Sequence, residues 1–103
     1  MTNDRFLLEV NKAITRSNDL LVRKGDEYTV NDDRLVNFKQ AGAMELVPPT
    51  QSLMSMMDKH VASIAEMVKM PNAYSAEEWH RKLDDIRNYT LLLDTLLTDL
   101  GVE

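Results

Sequence analysis

The chain has 103 residues, of which 44% are hydrophobic and 28% are charged, with a net charge of -5 and no cysteine. This predicts one globular domain over residues 1–103 and excludes disulfides, thiolate metal sites and a cysteine nucleophile. The acidic balance argues against a protein that mainly neutralises the phosphates of duplex nucleic acid. Asp4 stands beside Arg5 and no unbroken apolar run follows, so we expect no signal peptide, no membrane anchor and a cytoplasmic location.

The first helix is predicted over about residues 4–24. Asn3 or Asp4 can cap its amino end, and apolar residues recur along it at three- and four-residue steps. Gly25 is placed to end the helix, because glycine readily adopts the left-handed conformation that follows many helix ends.

A second helix is predicted over about residues 32–46, after a short loop in which Asn31 is suited to the N-cap position. Pro48-Pro49 should end it, because proline restricts the preceding residue and cannot donate a helical hydrogen bond. Gly42 falls on the buried row of this helix, which indicates close packing or an early helix end.

Two further helices are predicted over about residues 50–70 and 76–100. Thr50 can cap the third helix, and Ser75 with Glu78 forms a capping box for the fourth. The fourth helix carries an apolar stripe wider than a two-stranded coiled coil needs, so we expect it at the centre of the fold with surface left for a partner subunit. The prediction is an all-α, four-helix bundle that assembles as an oligomer.

Polar side chains interrupt the apolar faces of the last two helices. His60 falls on the apolar side of the third helix, where it is either a packed, hydrogen-bonded residue or a ligand contact. Lys82 falls within the apolar stripe of the fourth helix with Asp85 beside it, and a buried ammonium needs a carboxylate, a path to water or an anionic ligand. The two residues therefore form either a structural pair or part of a site.

The connection between the first two helices has the densest run of charged, amide and aromatic side chains, Lys24–Tyr28 followed by Asp33–Phe38. We interpret this stretch as one wall of a site. The sequence contains no phosphate-binding glycine loop and no dinucleotide fingerprint. His60 and His80 lack the spacing of zinc ligands.

Three separated blocks, within roughly residues 20–97, resemble a known family. They are Lys24-Gly25-Asp26-Glu27-Tyr28 with Asp33-Arg34-Leu35 and Asn37-Phe38; Met57-Asp58-Lys59-His60 with Ser63-Ile64; and Trp79, Lys82-Leu83, Asp85, Asn88-Tyr89 and Leu91-Leu92-Leu93. They resemble the nucleotide modification associated domain of phage and bacterial proteins, which is similar to the all-alpha, MazG-like nucleotide pyrophosphohydrolases. The resemblance implies a four-helix fold, dimeric or higher, in which two pairs of acidic residues hold magnesium against a nucleoside triphosphate.

The sequence departs from that family at the metal-binding positions. Asp85 matches one acidic position of the second pair, but Lys82 stands where its partner Glu would be, and the third helix offers Asp58-Lys59-His60 instead of two Glu residues. Magnesium binds through carboxylates and water, and a lysine adds positive charge where the metal needs negative charge. We therefore expect a nucleotide-binding protein without the usual magnesium site, in which lysine and histidine contact phosphate directly.

The leading hypothesis is a phage-type protein that binds a nucleotide or deoxynucleotide. Aromatic rings would stack on the base, amides would contact the base or sugar, and cations would hold phosphate. The rings would be Tyr28 or Trp79, the amides Asn37 and Asn88, and the cations Arg34, Lys59 and Lys82. The full set of predicted ligand-binding residues is Lys24, Asp26, Tyr28, Asp33, Arg34, Asn37, Lys59, His60, Lys82, Asp85, Asn88 and Tyr89.

Two alternatives stay open. One is a magnesium-dependent (d)NTP pyrophosphohydrolase with a rearranged carboxylate set, Asp26, Glu27, Asp58 and Asp85, of which Asp58 and Asp85 would be the metal ligands. The other is a non-catalytic helical scaffold or protein-binding module, in which the same polar residues only stabilise the fold. Each of the three hypotheses expects a homo-oligomer and no membrane contact, in the host cytoplasm if the protein is phage-encoded.

Overall fold

The computed structural model describes residues 1–102, and that part of the chain is built from helices. In chain order they are α1 (Asn3–Tyr28), α2 (Val36–Glu45), α3 (Pro49–Met67) and α4 (Ala76–Asp99), with a short 3-10 turn at Pro71–Ala73 before α4. Helix α4 packs against both α1 and α3, and α2 packs against α3. The predicted all-α class is confirmed. None of the helices within residues 1–102 is long and apolar enough to cross a bilayer.

Helix α1 continues through Gly25 and ends at Tyr28, so the prediction that Gly25 ends it was wrong. Gly25 keeps a negative φ, and its carbonyl oxygen accepts hydrogen bonds from the backbone N–H and the hydroxyl of Thr29. A glycine inside a helix costs only about 1 kcal/mol relative to alanine, which the extra turn offsets with its own hydrogen bonds and contacts. At the other end the cap is Thr2, whose hydroxyl accepts from the Arg5 N–H at 3.1 Å, in place of Asn3 or Asp4.

A tight turn separates α1 from α2. Asn31 and Asp32 have φ angles of 52° and 63°, and the backbone groups of Val30 and Asp33 bond each other in both directions. Two consecutive left-handed residues are the mark of a two-residue reverse turn, and Asn and Asp tolerate this conformation better than most residues. Asn31 is therefore a turn residue and does not cap α2, which begins at Val36 and not near residue 32.

The junctions around α3 partly follow the prediction. Gly42 packs closely, as expected, because a Cβ atom there would lie 2.8 Å from the carbonyl oxygen of Val47. Helix α3 begins at Pro49 with Pro48 as its N-cap, two residues before the predicted Thr50 cap, since proline is well suited to the first helical position.

The predicted capping box at the start of α4 is present. The Ser75 hydroxyl accepts from the Glu78 N–H at 3.1 Å, and the Glu78 carboxylate accepts from the Ser75 N–H at 3.0 Å. Two of the unpaired N–H groups at the helix start are thereby satisfied.

The apolar core is small and lies where α2, α3 and α4 meet. Leu35, Phe38, Leu53 and Leu96 are buried in contact with one another, and partly buried side chains from α3 and α4 pack around them. The core leaves a cavity on the side facing α1, and that cavity positions the candidate site.

A candidate ligand-binding cavity

A cavity of about 380 Å³ lies between the carboxyl half of α1, the turn, α2, α3 and α4. Eight of the twelve predicted ligand-binding residues line it, and they come from all of these segments. They are Lys24, Tyr28, Arg34, Asn37, His60, Asp85, Asn88 and Tyr89. The rest of the wall is apolar and is formed by Leu20, Leu21, Phe38, Met56 and Leu92. The structure thus brings the three separated sequence blocks to one place, while the binding role of these residues stays a prediction.

Positive charge faces the cavity from the end of α1 and the turn. Arg34 lies beside Gly25, with its guanidinium carbon 5.7 Å from the centre of the Tyr28 ring. A guanidinium at this distance from an aromatic ring is attracted by the ring's electron-rich face, which orients Arg34. Lys24 lines the same cavity from α1, so two cations are available to an anionic group.

The facing wall, from α3 and α4, combines a carboxylate, an imidazole and a phenol. His60 Nδ1 lies 3.6 Å from Asp85 Oδ2, and the His60 ring is 5.1 Å from the Tyr89 ring, centre to centre. Burial raises the pKa of Tyr89, and the nearby Asp85 carboxylate and Tyr28 phenol add to that rise. Tyr89 therefore stays a neutral hydroxyl at physiological pH, able to donate or accept a hydrogen bond.

Asn88 is the most deeply buried polar side chain in the cavity wall. It is 7% exposed, and its Oδ1 atom has no hydrogen-bond partner among residues 1–102. Leaving a buried acceptor unpaired costs about 1–3 kcal/mol, so native structures rarely keep one without a reason. A ligand that donates a hydrogen bond to Asn88 would remove this cost.

The other four predicted ligand-binding residues do not line the cavity. Asp26 and Lys59 are exposed. Asp33 accepts hydrogen bonds from the Leu35 N–H and from Lys39, which also bonds Asp99, so Asp33 holds the turn against α4. Lys82 is half-buried outside the cavity wall and forms no ion pair within residues 1–102.

Two expectations about α4 are corrected. No Lys82–Asp85 ion pair forms within residues 1–102, and the Asp85 carboxylate instead lies 3.6 Å from His60 Nδ1 on α3. Trp79, considered for stacking on a base, lies away from the cavity. Its indole N–H donates to the Pro71 carbonyl at 2.9 Å and its ring meets the edge of Tyr74, so it fastens the α3–α4 connection.

Sequence reasoning missed the buried ion cluster between α1 and α4. Asp84 is 6% exposed and accepts hydrogen bonds from Ser17 and Arg87, while Arg16 Nε lies 3.5 Å away. Burial alone would raise the pKa of Asp84, but the hydrogen bonds from Arg87 and Ser17 and the two guanidinium charges outweigh it and hold the pKa below its usual value. The sequence carries only a partial signal, the four-residue step from Asp84 to Asn88, which places two polar residues on one helix face but does not show the contact with α1.

The cavity does not fit a magnesium site of the kind that the resemblance implies. Of the residues that the structure describes, 1–102, Asp85 is the only carboxylate that lines it. Asp26, Glu27 and Asp58 are exposed and lie outside the cavity wall. Among residues 1–102, no three His, Asp or Glu side chains are grouped so as to hold a metal ion.

Comparison with protein-family models, with curated proteins and with solved structures finds no match for this chain.

Proposed function

We propose that this protein binds a nucleotide in the central cavity, as a non-hydrolytic relative of the all-alpha, MazG-like pyrophosphohydrolases. The observation that carries the proposal is the meeting of two cations, Lys24 and Arg34, with two phenol rings, Tyr28 and Tyr89, around one largely apolar cavity. A nucleotide has the matching parts, since its phosphate is an anion and its base is a flat aromatic ring. The unpartnered amide oxygen of Asn88 supports a polar ligand.

Within this proposal each wall has its own role. Lys24 and Arg34 hold the phosphate, since ionised donors make the stronger hydrogen bonds to phosphate oxygens. Phe38, Met56 and Leu92 provide apolar surface for the base. Because none of these roles needs a hydrolytic metal, binding is the function that this set of side chains supports best.

The proposal predicts that Lys24→Ala weakens nucleotide binding by about tenfold, since it removes one charged contact to phosphate. The matched control is Arg23→Ala, because Arg23 is a neighbouring cation on α1 that faces a shallow cleft outside the cavity. The measurement is isothermal titration calorimetry with a panel of nucleoside mono- and triphosphates. Equal weakening in the two variants, or no binding of any nucleotide at millimolar concentration, would overturn the proposal.

We also propose that the protein assembles as a homodimer, because the single chain is extended and exposes more surface than a compact monomer. Its radius of gyration is 15.7 Å, against about 13 Å for a compact domain of this length. It exposes 7404 Å², against about 5,900 Å² for a monomer of 11.8 kDa. The excess, about 1,500 Å² per chain, is what a large homodimer interface covers on each subunit.

The dimer contact is assigned to the amino half of α1. Among the helices of residues 1–102, α1 as a whole packs extensively against α4 alone. Leu7 and Ile14 lie seven residues apart on one face and are each half exposed, with Val10 between them. The neighbouring Phe6 is also half exposed, so this part of α1 presents a continuous apolar row. A second copy of the chain would cover it.

Ile14→Glu is expected to raise the dimer dissociation constant at least about tenfold, because it places a charge in the apolar row. The control is Val22→Glu, which adds the same charge on the same helix but away from that row. Analytical ultracentrifugation over a concentration series measures both. A monomeric wild-type protein, or equal effects of the two substitutions, would contradict the assignment.

A further inference from the structure

The charges that face the cavity are few. Among residues 1–102, Lys24 and Arg34 are the cations that line it, and Asp85, 3.6 Å from His60, is the one carboxylate. The cavity therefore has to balance ligand charge with the two cations.

Two cations match one phosphate group. A phosphate monoester carries about -1.5 to -2 charge at pH 7, which Lys24 and Arg34 together neutralise. A triphosphate carries more charge, and proteins usually hold it with magnesium that is itself bound through carboxylates. Within residues 1–102 one carboxylate, Asp85, lines the cavity, and no three His, Asp or Glu side chains are grouped so as to hold a metal ion.

The size of the cavity also favours a ligand with one phosphate group. Its volume of about 380 Å³ is near the lower end of the roughly 300–1,000 Å³ typical of small-molecule sites. A ring, a sugar and one phosphate suit such a volume better than a chain of three phosphates.

The side chains that α4 contributes to the cavity indicate which edge of the nucleotide base would face them. Asp85 and Asn88 are three residues apart on α4 and both line the cavity. The carboxylate of Asp85 accepts hydrogen bonds only. The Oδ1 atom of Asn88 is an acceptor without a donor within residues 1–102, and because it is enclosed by protein atoms the amide has to turn towards the cavity to meet a base. A base with an exocyclic amino group supplies donors at this wall, whereas thymine offers one ring N–H between two carbonyl groups.

We propose that the cavity takes a nucleoside monophosphate with an amino-bearing base, bound without a divalent metal ion. This inference rests on the proposed function, because it specifies the nucleotide for the same cavity. Lys24 and Arg34 bind the phosphate, and Asp85 with Asn88 binds the amino edge of the base.

The test is calorimetry on the wild-type protein with dGMP, dAMP, dCMP, dTMP and the four triphosphates, each with EDTA and with magnesium. We expect the best amino-bearing monophosphate to bind at least about tenfold more tightly than its triphosphate in either condition. Magnesium should change its dissociation constant by less than about twofold. It should bind at least about fivefold more tightly than dTMP, and Asp85→Asn should reduce that preference.

Each contrary outcome has a separate meaning. Tighter binding of a triphosphate, or a requirement for magnesium, overturns this inference and leaves nucleotide binding standing. Equal binding of dTMP, or an unchanged base preference in Asp85→Asn, overturns the assignment of the α4 wall to the amino edge. Absence of binding by every nucleotide overturns the proposed function together with the inference.

Discussion

Replacing Asp84 with alanine is expected to lower the free energy of unfolding by about 2–3 kcal/mol, the largest loss that we predict from one side chain. Asp84 is buried between α1 and α4 and accepts hydrogen bonds from Ser17 at 2.9 Å and from Arg87. Alanine would leave the guanidinium groups of Arg16 and Arg87 near each other without a counter-charge. Both arginines reach water with about a third of their side chains, which keeps the loss below that of a fully enclosed pair.

Chemical denaturation at one protein concentration measures this loss, since the stability of the proposed dimer would depend on concentration. Asp94→Ala is the control, because Asp94 is an exposed carboxylate on the same helix. It should change the free energy of unfolding by no more than about 0.5 kcal/mol. An Asp84 variant as stable as this control would show that the cluster does not hold α1 to α4.

The same cluster predicts a dependence on pH. The pKa of Asp84 is lower in the folded protein than in the unfolded chain, so its contribution is fully present above about pH 5, where the unfolded carboxyl is also ionised. Below that pH the unfolded state takes up the proton first, and the contribution is lost as the pH falls through the folded pKa. The stability difference between wild type and Asp84→Asn should therefore shrink from pH 5 to pH 2.

Gly42→Ala is expected to destabilise the protein by about 1–3 kcal/mol. A Cβ atom on Gly42 would lie 2.8 Å from the Val47 carbonyl oxygen and 3.0 Å from the Pro49 nitrogen, and both are backbone atoms. The chain between α2 and α3 would have to shift to make room. Val47 also donates its N–H to the Gly42 carbonyl at 2.9 Å, so the shift would strain the end of α2.

Gly25→Ala is the matched control, with an expected gain of about 0.5–1 kcal/mol. Gly25 lies within α1 at negative φ, and its nearest outside neighbour, Arg34 Nε, would be 3.7 Å from a Cβ atom, an ordinary contact. Alanine is the better helix former and reduces the freedom of the unfolded chain. The two alanine variants should thus move the denaturation midpoint in opposite directions, and a shift in the same direction would contradict the structure around one of the glycines.

The local rules of helix formation predicted the helix ends well where no contact with distant parts of the chain opposed them. The capping box at Ser75 involves only neighbouring residues, so its sequence was sufficient to place the start of α4. Gly25 was misjudged because its small intrinsic cost is outweighed by contacts elsewhere in the fold. Asn31-Asp32 could have been recognised as a turn pair, since both residues tolerate positive φ.

The residues that line the cavity were partly predictable, because some of them are close together in the sequence. Asp85, Asn88 and Tyr89 share a helix face because of their three- and four-residue spacing. If one of them lines the cavity, the spacing predicts that the others do as well. Which side of α3 and α4 faces the cavity depends on packing between distant segments, and Lys59 and Lys82 were therefore misplaced. The partners of Asp84 lie mainly on α1, 67 residues away in the case of Ser17, and no local pattern shows such a contact.

The most direct test of nucleotide binding in this cavity uses the methionine methyl groups. Of the seven methionines, Met56 is the one that lines the cavity, while Met44 and Met70 are exposed elsewhere. NMR spectra of protein labelled with ¹³C at the methionine methyls should show the Met56 signal shifting in a saturable way as dGMP, dAMP or dCMP is added, with Met44 and Met70 unchanged. A titration in which Met56 stays fixed, or in which the exposed methionines shift instead, would contradict a nucleotide site between the four helices.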